Sequence, residues 1–86
     1  MKIVKIGAMW CPACIIMKKF WNDIKNEFNN FEFVDYDIDM DEDEVKKYNP
    51  GDILPVIIMV ENDKEIKRLV GERKKEDVIS FLSGGN

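Results

Sequence analysis

Two cysteines separated by two residues are the side chains most able to do chemistry. Cys11 and Cys14 lie in the stretch Trp-Cys-Pro-Ala-Cys, and they are the only cysteines of a chain that has no histidine. Such a pair can be a structural disulfide, part of a metal site, two small buried residues, or a redox couple that forms and breaks a disulfide.

A structural disulfide and a zinc site both fit this pair poorly. A disulfide stabilises mainly by closing a long loop of the unfolded chain, whereas a bridge from Cys11 to Cys14 closes a ring of only about four residues. A structural zinc ion takes four Cys or His ligands, so only a dimer that pooled its cysteines could complete the site. We therefore expect no metal and no cofactor, and the interpretation as two small buried residues stays open.

The elements around the cysteines predict how they are positioned. Residues 2–8 are apolar and β-branched, which indicates a strand, and apolar residues then recur every three or four positions from Cys11 to about Phe28, as in an amphipathic helix. Cys11 thus falls at the start of a helix, where unpaired N–H groups and the helix dipole stabilise a thiolate. Pro12 suits the first helical turn. We expect Cys11 to attack and Cys14, one turn along and deeper, to resolve.

The rest of the chain predicts one α/β domain over residues 1–86. Apolar stretches predict strands, amphipathic stretches predict helices, and the order is β-α-β-α-β-β-α. The strand–helix–strand opening implies a right-handed parallel crossover, and the last two strands then add as a hairpin. This gives a four-stranded mixed sheet flanked by three helices. The later elements are expected at residues 31–39, 41–48, 55–60, 64–71 and 73–83.

The chain resembles the thioredoxin superfamily over nearly its whole length. Its Trp-Cys-Pro-Ala-Cys is similar to the family's Trp-Cys-x-x-Cys active site, Ile-Leu-Pro at 53–55 to the Ile-Pro that faces it, and Leu-Val-Gly at 69–71 to the Val-Gly that rims the substrate groove. The opening strand and helix of full-length thioredoxins have no counterpart here. The chain is therefore similar to compact thioredoxin- and glutaredoxin-like proteins.

The resemblance implies a thioredoxin-like fold and a protein-disulfide reductase in which Cys11 attacks and Cys14 resolves. It also implies a cis peptide before the proline of Ile-Leu-Pro. The implied partners are protein disulfide substrates and an upstream reductase such as thioredoxin reductase. Two alternatives stay open, a glutathione-linked oxidoreductase and a docking module without catalysis. The expected substrate-binding residues are Trp10, Pro12, Leu54, Pro55 and Gly71.

The resemblance also draws attention to two charged residues. Thioredoxins carry a buried Asp six residues before the first active-site Cys and a Lys on the neighbouring strand; the matching positions here hold Lys5 and Asp35, with the charges exchanged. A buried lysine needs a partner. We expect a partly buried Lys5–Asp35 ion pair beside Cys14 that takes part in catalysis. In the alternative, Lys5 extends to the end of the sheet and Asp35 faces solvent.

Composition narrows the possible partners. The formal net charge of −4 and a sequence pI of about 4.8 disfavour a nucleic-acid partner, which needs a basic face. No run approaches the roughly 18 apolar residues of a membrane span, and the N-terminus lacks the features of a signal peptide. We therefore expect a cytoplasmic monomer, in a compartment where thiols are kept reduced.

Overall fold

The computed structural model describes residues 1–84, and Gly85 and Asn86 of the expected domain lie outside the described part. The seven elements follow the expected order. They are β1 (Lys2–Gly7), α1 (Pro12–Glu27), β2 (Glu32–Asp37), α2 (Glu42–Lys46), β3 (Val56–Glu61), β4 (Lys64–Val70) and α3 (Lys75–Leu82).

The four strands form one mixed sheet in the order β2-β1-β3-β4. β1 pairs with β2 in parallel and with β3 antiparallel, and β3 and β4 form the closing antiparallel hairpin. The predicted topology is thus confirmed. β1 lies inside the sheet with a paired strand on each side. The sheet therefore fixes the position of the end of β1, from which the chain continues to both cysteines.

Alternate residues of the strands point to opposite faces of the sheet, and their side chains belong to two separate hydrophobic clusters, one on each face. On the first face Ile3 and Ile57 pack with apolar residues of α1 and α3. On the second face Val4 and Ile58 pack with Val45 of α2. The helices therefore cover both faces, as expected, and β3 reads as a continuous apolar run because it is buried on both sides.

Several elements are shorter than the sequence predicts, and β2 shows the physical reason. It was expected to run to residue 39 but ends at Asp37. The Asp37 carboxylate accepts the backbone N–H groups of Asp39 and Met40, which turns the chain toward α2. Likewise, α2 spans only Glu42–Lys46, and α3 begins at Lys75 rather than at residue 73.

The apolar face of α1 is the main contact between that helix and the sheet. Met17, Trp21 and Ile24 are its buried residues. We expect Ile24→Ala to lower the free energy of unfolding by about 2–5 kcal/mol, because Ile24 is fully buried. Lys19→Ala, on the exposed side of the same helix, should change it by less than about 0.5 kcal/mol. Urea denaturation of both variants measures the difference, and equal costs would mean that α1 is oriented differently.

Candidate active site

Cys11 is the N-cap residue of α1. Its backbone is extended, with φ −84° and ψ 114°, and Pro12 follows as the first residue of the helix. The sulfur of Cys11 accepts the backbone N–H of Cys14 at 3.3 Å, so it fills the position that a capping oxygen usually takes. The predicted position of Cys11 at the helix start is confirmed, and a thiolate there lies next to an N–H donor and the positive end of the dipole.

Cys14 lies against the end of β1. A Cβ atom built on Gly7 would come within 3.1 Å of the Cys14 sulfur, so the absence of a side chain at Gly7 makes this approach possible. The expectation that Cys14 is the deeper cysteine is wrong for the residue as a whole. Cys11 is only 5% exposed, because it packs with Ala8 and Leu54, whereas Cys14 is half-buried.

The surroundings of Cys14 nevertheless keep it protonated. Burial raises the pKa of the Cys14 thiol to about 11, and a hydrogen bond with the Cys11 side chain acts in the same direction. A hydrogen bond with the backbone of Ala8 and the positive charge of Lys5 lower that pKa. At neutral pH Cys14 is therefore a thiol, which suits a residue that acts second.

Lys5 and Asp35 face each other across β1 and β2. They are direct partners in the parallel register, and Lys5 Nζ lies 3.8 Å from Asp35 Oδ1. The expected ion pair is therefore present, although Asp35 is exposed to solvent, as the alternative had it. The Lys5 side chain is 16% exposed, and its amino group lies over the ring of Trp21, 4.7 Å from the centroid.

A second lysine, which the sequence analysis missed, makes the shorter contact with Asp35. Lys25 of α1 donates to Asp35 Oδ2 at 2.9 Å. Burial lowers the pKa of Lys5, the Asp35 carboxylate raises it, and the charge of Lys25 lowers it. The Asp35 carboxylate thus holds the amino group of Lys5 near Cys14, and Lys5 shares this carboxylate with Lys25.

The segment before β3 faces the cysteines with a different set of side chains than expected. The Leu54–Pro55 peptide is cis, as predicted, but Leu54 and Pro55 are both buried, so their side chains do not form an exposed rim. Ile53, which is 61% exposed, does. Gly71 has φ +88° and donates its N–H to the carbonyl of Pro55 at 2.9 Å, and a Cβ there would contact Ile53.

Trp10 lies on the surface beside Cys11. It is 64% exposed, and its indole Nε1 donates to Asp39 Oδ2 at 2.7 Å. Asp39 thus holds the ring of Trp10 in place. Within residues 1–84 no group of three or more His, Cys, Asp or Glu side chains is arranged to hold a metal ion. None of the helices in that range has the length and apolar character to cross a lipid bilayer.

The sequence matches a family model described as Thioredoxin over residues 1–84. A thioredoxin H2 of Arabidopsis thaliana is 31% identical over 74 residues, which are 86% of this chain and 55% of the relative. A thioredoxin of Mycoplasma genitalium is 31% identical over 81 residues, covering 94% of this chain and 78% of the relative. The chain thus spans about half the length of the plant protein and more of the bacterial one.

Solved structures agree with the fold. A thioredoxin of Fasciola hepatica superposes with a TM-score of 0.87 at 21% identity, over 99% of this chain and 80% of that one. The thioredoxin NaTrxh of Nicotiana alata gives a TM-score of 0.84 at 25% identity, over 99% of this chain and 73% of that one. The mixed sheet and its three helices are therefore a thioredoxin-like fold.

The two cysteines should differ in reactivity. We expect iodoacetamide to label Cys11 much faster than Cys14 near neutral pH, because the Cys14 thiol has a pKa of about 11 and the thiolate is the nucleophile. Peptide mapping by mass spectrometry after a short pulse gives both rates. Faster labelling of the more exposed Cys14 would contradict this assignment of roles.

Proposed function

The chain belongs to the thioredoxin family, and from that premise we propose that it is a thiol–disulfide oxidoreductase that reduces protein disulfides. The observation that carries the proposal is the sulfur of Cys11, which caps α1 and accepts the N–H of Cys14. The matching relatives named thioredoxin support the same activity. They do not favour a glutathione-linked enzyme or a docking module without catalysis.

The proposed reaction has two exchange steps. The Cys11 thiolate attacks one sulfur of a substrate disulfide, a bond from Cys11 to that sulfur forms, and the other sulfur leaves as a thiolate that takes up a proton. Cys14 then loses its proton and attacks the Cys11 sulfur. The mixed disulfide breaks, the Cys11–Cys14 disulfide forms, and the substrate leaves with both sulfurs reduced. The two electrons that the substrate gains come from the two cysteines.

We assign substrate binding to the surface around Cys11. Trp10, held by Asp39, and Ile53 supply exposed apolar side chains. Pro12 is exposed at the start of the helix. Leu54 and Pro55 are buried and would bind through the backbone, by pairing with an extended substrate segment next to Gly71.

We assign Lys5 and Asp35 to the second step. Cys14 must become a thiolate before it can attack, and the charge of Lys5 lowers the Cys14 pKa from below the site. Asp35 lies 3.8 Å from Lys5 and keeps the amine at this place on the sheet. Lys5 would therefore favour the Cys14 thiolate, and Asp35 would position Lys5.

The proposal extends to partners and location. The oxidised protein needs an upstream reductase, of which thioredoxin reductase is the expected kind, and a cytoplasmic location would keep the cycle running toward reduction. A monomer suffices, because both cysteines and both charged residues come from one chain.

Reduction of insulin by dithiothreitol tests the activity. We expect the wild-type protein to accelerate the precipitation of insulin and Cys11→Ser to return the rate to that of dithiothreitol alone, because Cys11 supplies the attacking sulfur. In the absence of dithiothreitol, the pre-reduced Cys14→Ser variant should accumulate a mixed disulfide with insulin, since it forms the adduct but lacks the resolving thiol. Equal rates for the wild type and Cys11→Ser would leave only a docking role.

Stopped-flow kinetics test the role of Lys5. We expect Lys5→Met to slow resolution of the mixed disulfide by up to about tenfold at neutral pH while its formation changes little, because loss of the charge raises the Cys14 pKa. The resolution rate of the wild type should rise with pH, and the curve of Lys5→Met should lie at higher pH.

Lys2→Met is the matched control, because it removes the same charge from the other end of β1. Its resolution rate and pH profile should equal those of the wild type. An unchanged profile for Lys5→Met would show that the Lys5–Asp35 pair is a structural feature only.

A further inference from the structure

The guanidinium group of Arg68 joins β4 to the stretch of chain that follows α2. Its Nη2 atom donates to the carbonyl oxygen of Tyr48 at 2.6 Å, and its Nη1 atom donates to that of Asn49 at 3.1 Å. Both carbonyls lie beyond the last helical residue, Lys46, so the helix itself offers them no N–H partner. One side chain of β4 therefore fixes the point at which the chain leaves α2 and turns toward the cis peptide.

Glu65 holds this guanidinium group in place. Its carboxylate accepts hydrogen bonds from Nε of Arg68, at 2.6 Å, and from Nη2. Residues three apart on a regular strand point to opposite faces of the sheet. In β4 the register with β3 shifts between Met59 and Val60, and this bulge leaves Ile66 unpaired in the described sheet. The extra residue brings the side chains of Glu65 and Arg68 to the same face.

Arginine is suited to this position. A planar guanidinium presents five N–H donors in a fixed fork, so it can bind a carboxylate and two carbonyls at once, whereas the ammonium of a lysine is a point charge. Hydrogen bonding with Arg68 lowers the pKa of Glu65, and hydrogen bonding with Glu65 raises the pKa of Arg68. Both groups are therefore charged at neutral pH, and the contact with the two carbonyls is charge-assisted.

The segment from Asn49 to Pro55 is held mainly at its two ends. Within residues 1–84 no backbone–backbone hydrogen bond involves residues 50–54. At the far end the carbonyl of Pro55 accepts the N–H of Gly71, and at the near end Arg68 holds the carbonyl of Asn49. Loss of the near anchor would therefore leave the intervening backbone free to shift.

This segment carries the backbone to which we assign substrate pairing. The Leu54 side chain is buried in the same cluster as Cys11, so Leu54 can meet a substrate only through its backbone. Hydrogen bonds to an extended chain need a donor–acceptor distance near 3 Å and good alignment. A shift of the segment would therefore weaken the binding of a peptide chain without changing the surroundings of the sulfur atoms.

We propose that Arg68 is a positioning residue for protein substrates: by holding the two carbonyls after α2, it fixes the backbone of Leu54 for pairing with the substrate chain. The inference rests on the proposed function and adds a residue outside the cysteine pair. The hydrogen bonds of Arg68 lead to the segment and to Glu65 rather than to either cysteine. Arg68 should thus affect the binding of an extended chain and not the reactivity of Cys11.

Reduction of insulin driven by dithiothreitol, measured as initial rates over a range of insulin concentrations, tests this role. We expect Arg68→Met to raise the KM for insulin by about threefold to tenfold, the size expected when binding loses about one hydrogen bond. The kcat should change by less than about twofold, because the lost contact serves binding alone. The pre-reduced variant should react with 2,2′-dithiodipyridine, a small disulfide without a peptide chain, at the wild-type rate.

Two further variants separate positioning from a general effect of charge or stability. Glu65→Gln should raise the KM less than Arg68→Met, and the double variant should show no further rise, because both residues act through one guanidinium group. Lys64→Met, which removes a positive charge from the exposed start of the same strand, should keep the wild-type KM. Tyr48 packs against the second cluster and stacks on Tyr36, so we expect the variants to fold, and urea denaturation checks this.

The outcomes distinguish this inference from the proposed function. An unchanged KM in Arg68→Met, with or without a loss of stability, would make Arg68 a structural residue only. Equal slowing with insulin and with 2,2′-dithiodipyridine would place its effect on the cysteines, and this result would also overturn the inference. A wild-type protein that does not reduce insulin would overturn the proposed function and this inference together.

Discussion

The start of α1 at Pro12 is the constraint on which the chemistry of this protein depends. β1 ends at Gly7 inside the sheet, and a short connection places Cys11 as the N-cap of the helix. From that position its sulfur accepts the N–H of Cys14, and Cys14 in turn lies against Gly7. The strand, the cap and the first helical turn thus give two chemically identical side chains different surroundings, and we propose that this difference sets their order of reaction.

The partly buried amino group of Lys5 lies behind the two cysteines. The parallel register of β1 and β2 places Lys5 opposite Asp35, and this contact holds the Lys5 side chain near Cys14. Lys25 also forms an ion pair with the Asp35 carboxylate. The desolvation of Lys5 lowers its pKa, and its charge lowers that of Cys14. The strand that leads to the cysteines contributes the basic residue of this pair, and the neighbouring strand contributes the acidic one.

The sequence predicts the fold and the position of Cys11 at the start of α1 well because both depend on local patterns. The helical period after Cys11 and the apolar run of β3 identify their elements, and Lys5 and Asp35 follow from counting positions along two neighbouring strands. Where the outcome depends on side-chain packing, the predictions fail. Nothing in a linear pattern tells Lys18 from Lys25 as the lysine that reaches Asp35, since both lie on the same face of α1.

The same limit applies to the surface around Cys11. The order Ile-Leu-Pro does not say which apolar side chain turns outward, and the structure buries Leu54 while exposing Ile53. Asp39 accepts the hydrogen bond of Trp10 just after the early end of β2, in a turn where the Asp37 carboxylate accepts the backbone N–H of Asp39. The relative depth of the cysteines also depends on packing, since Leu54 and Ala8 cover Cys11.

The different surroundings of the two cysteines are measured most directly by an NMR titration of the reduced protein with ¹³Cβ-labelled cysteine. The signal of Cys14 is predicted to titrate with a midpoint near pH 11, above the ordinary value of 9.0. A Cys14 midpoint at or below 9.0 would contradict the account.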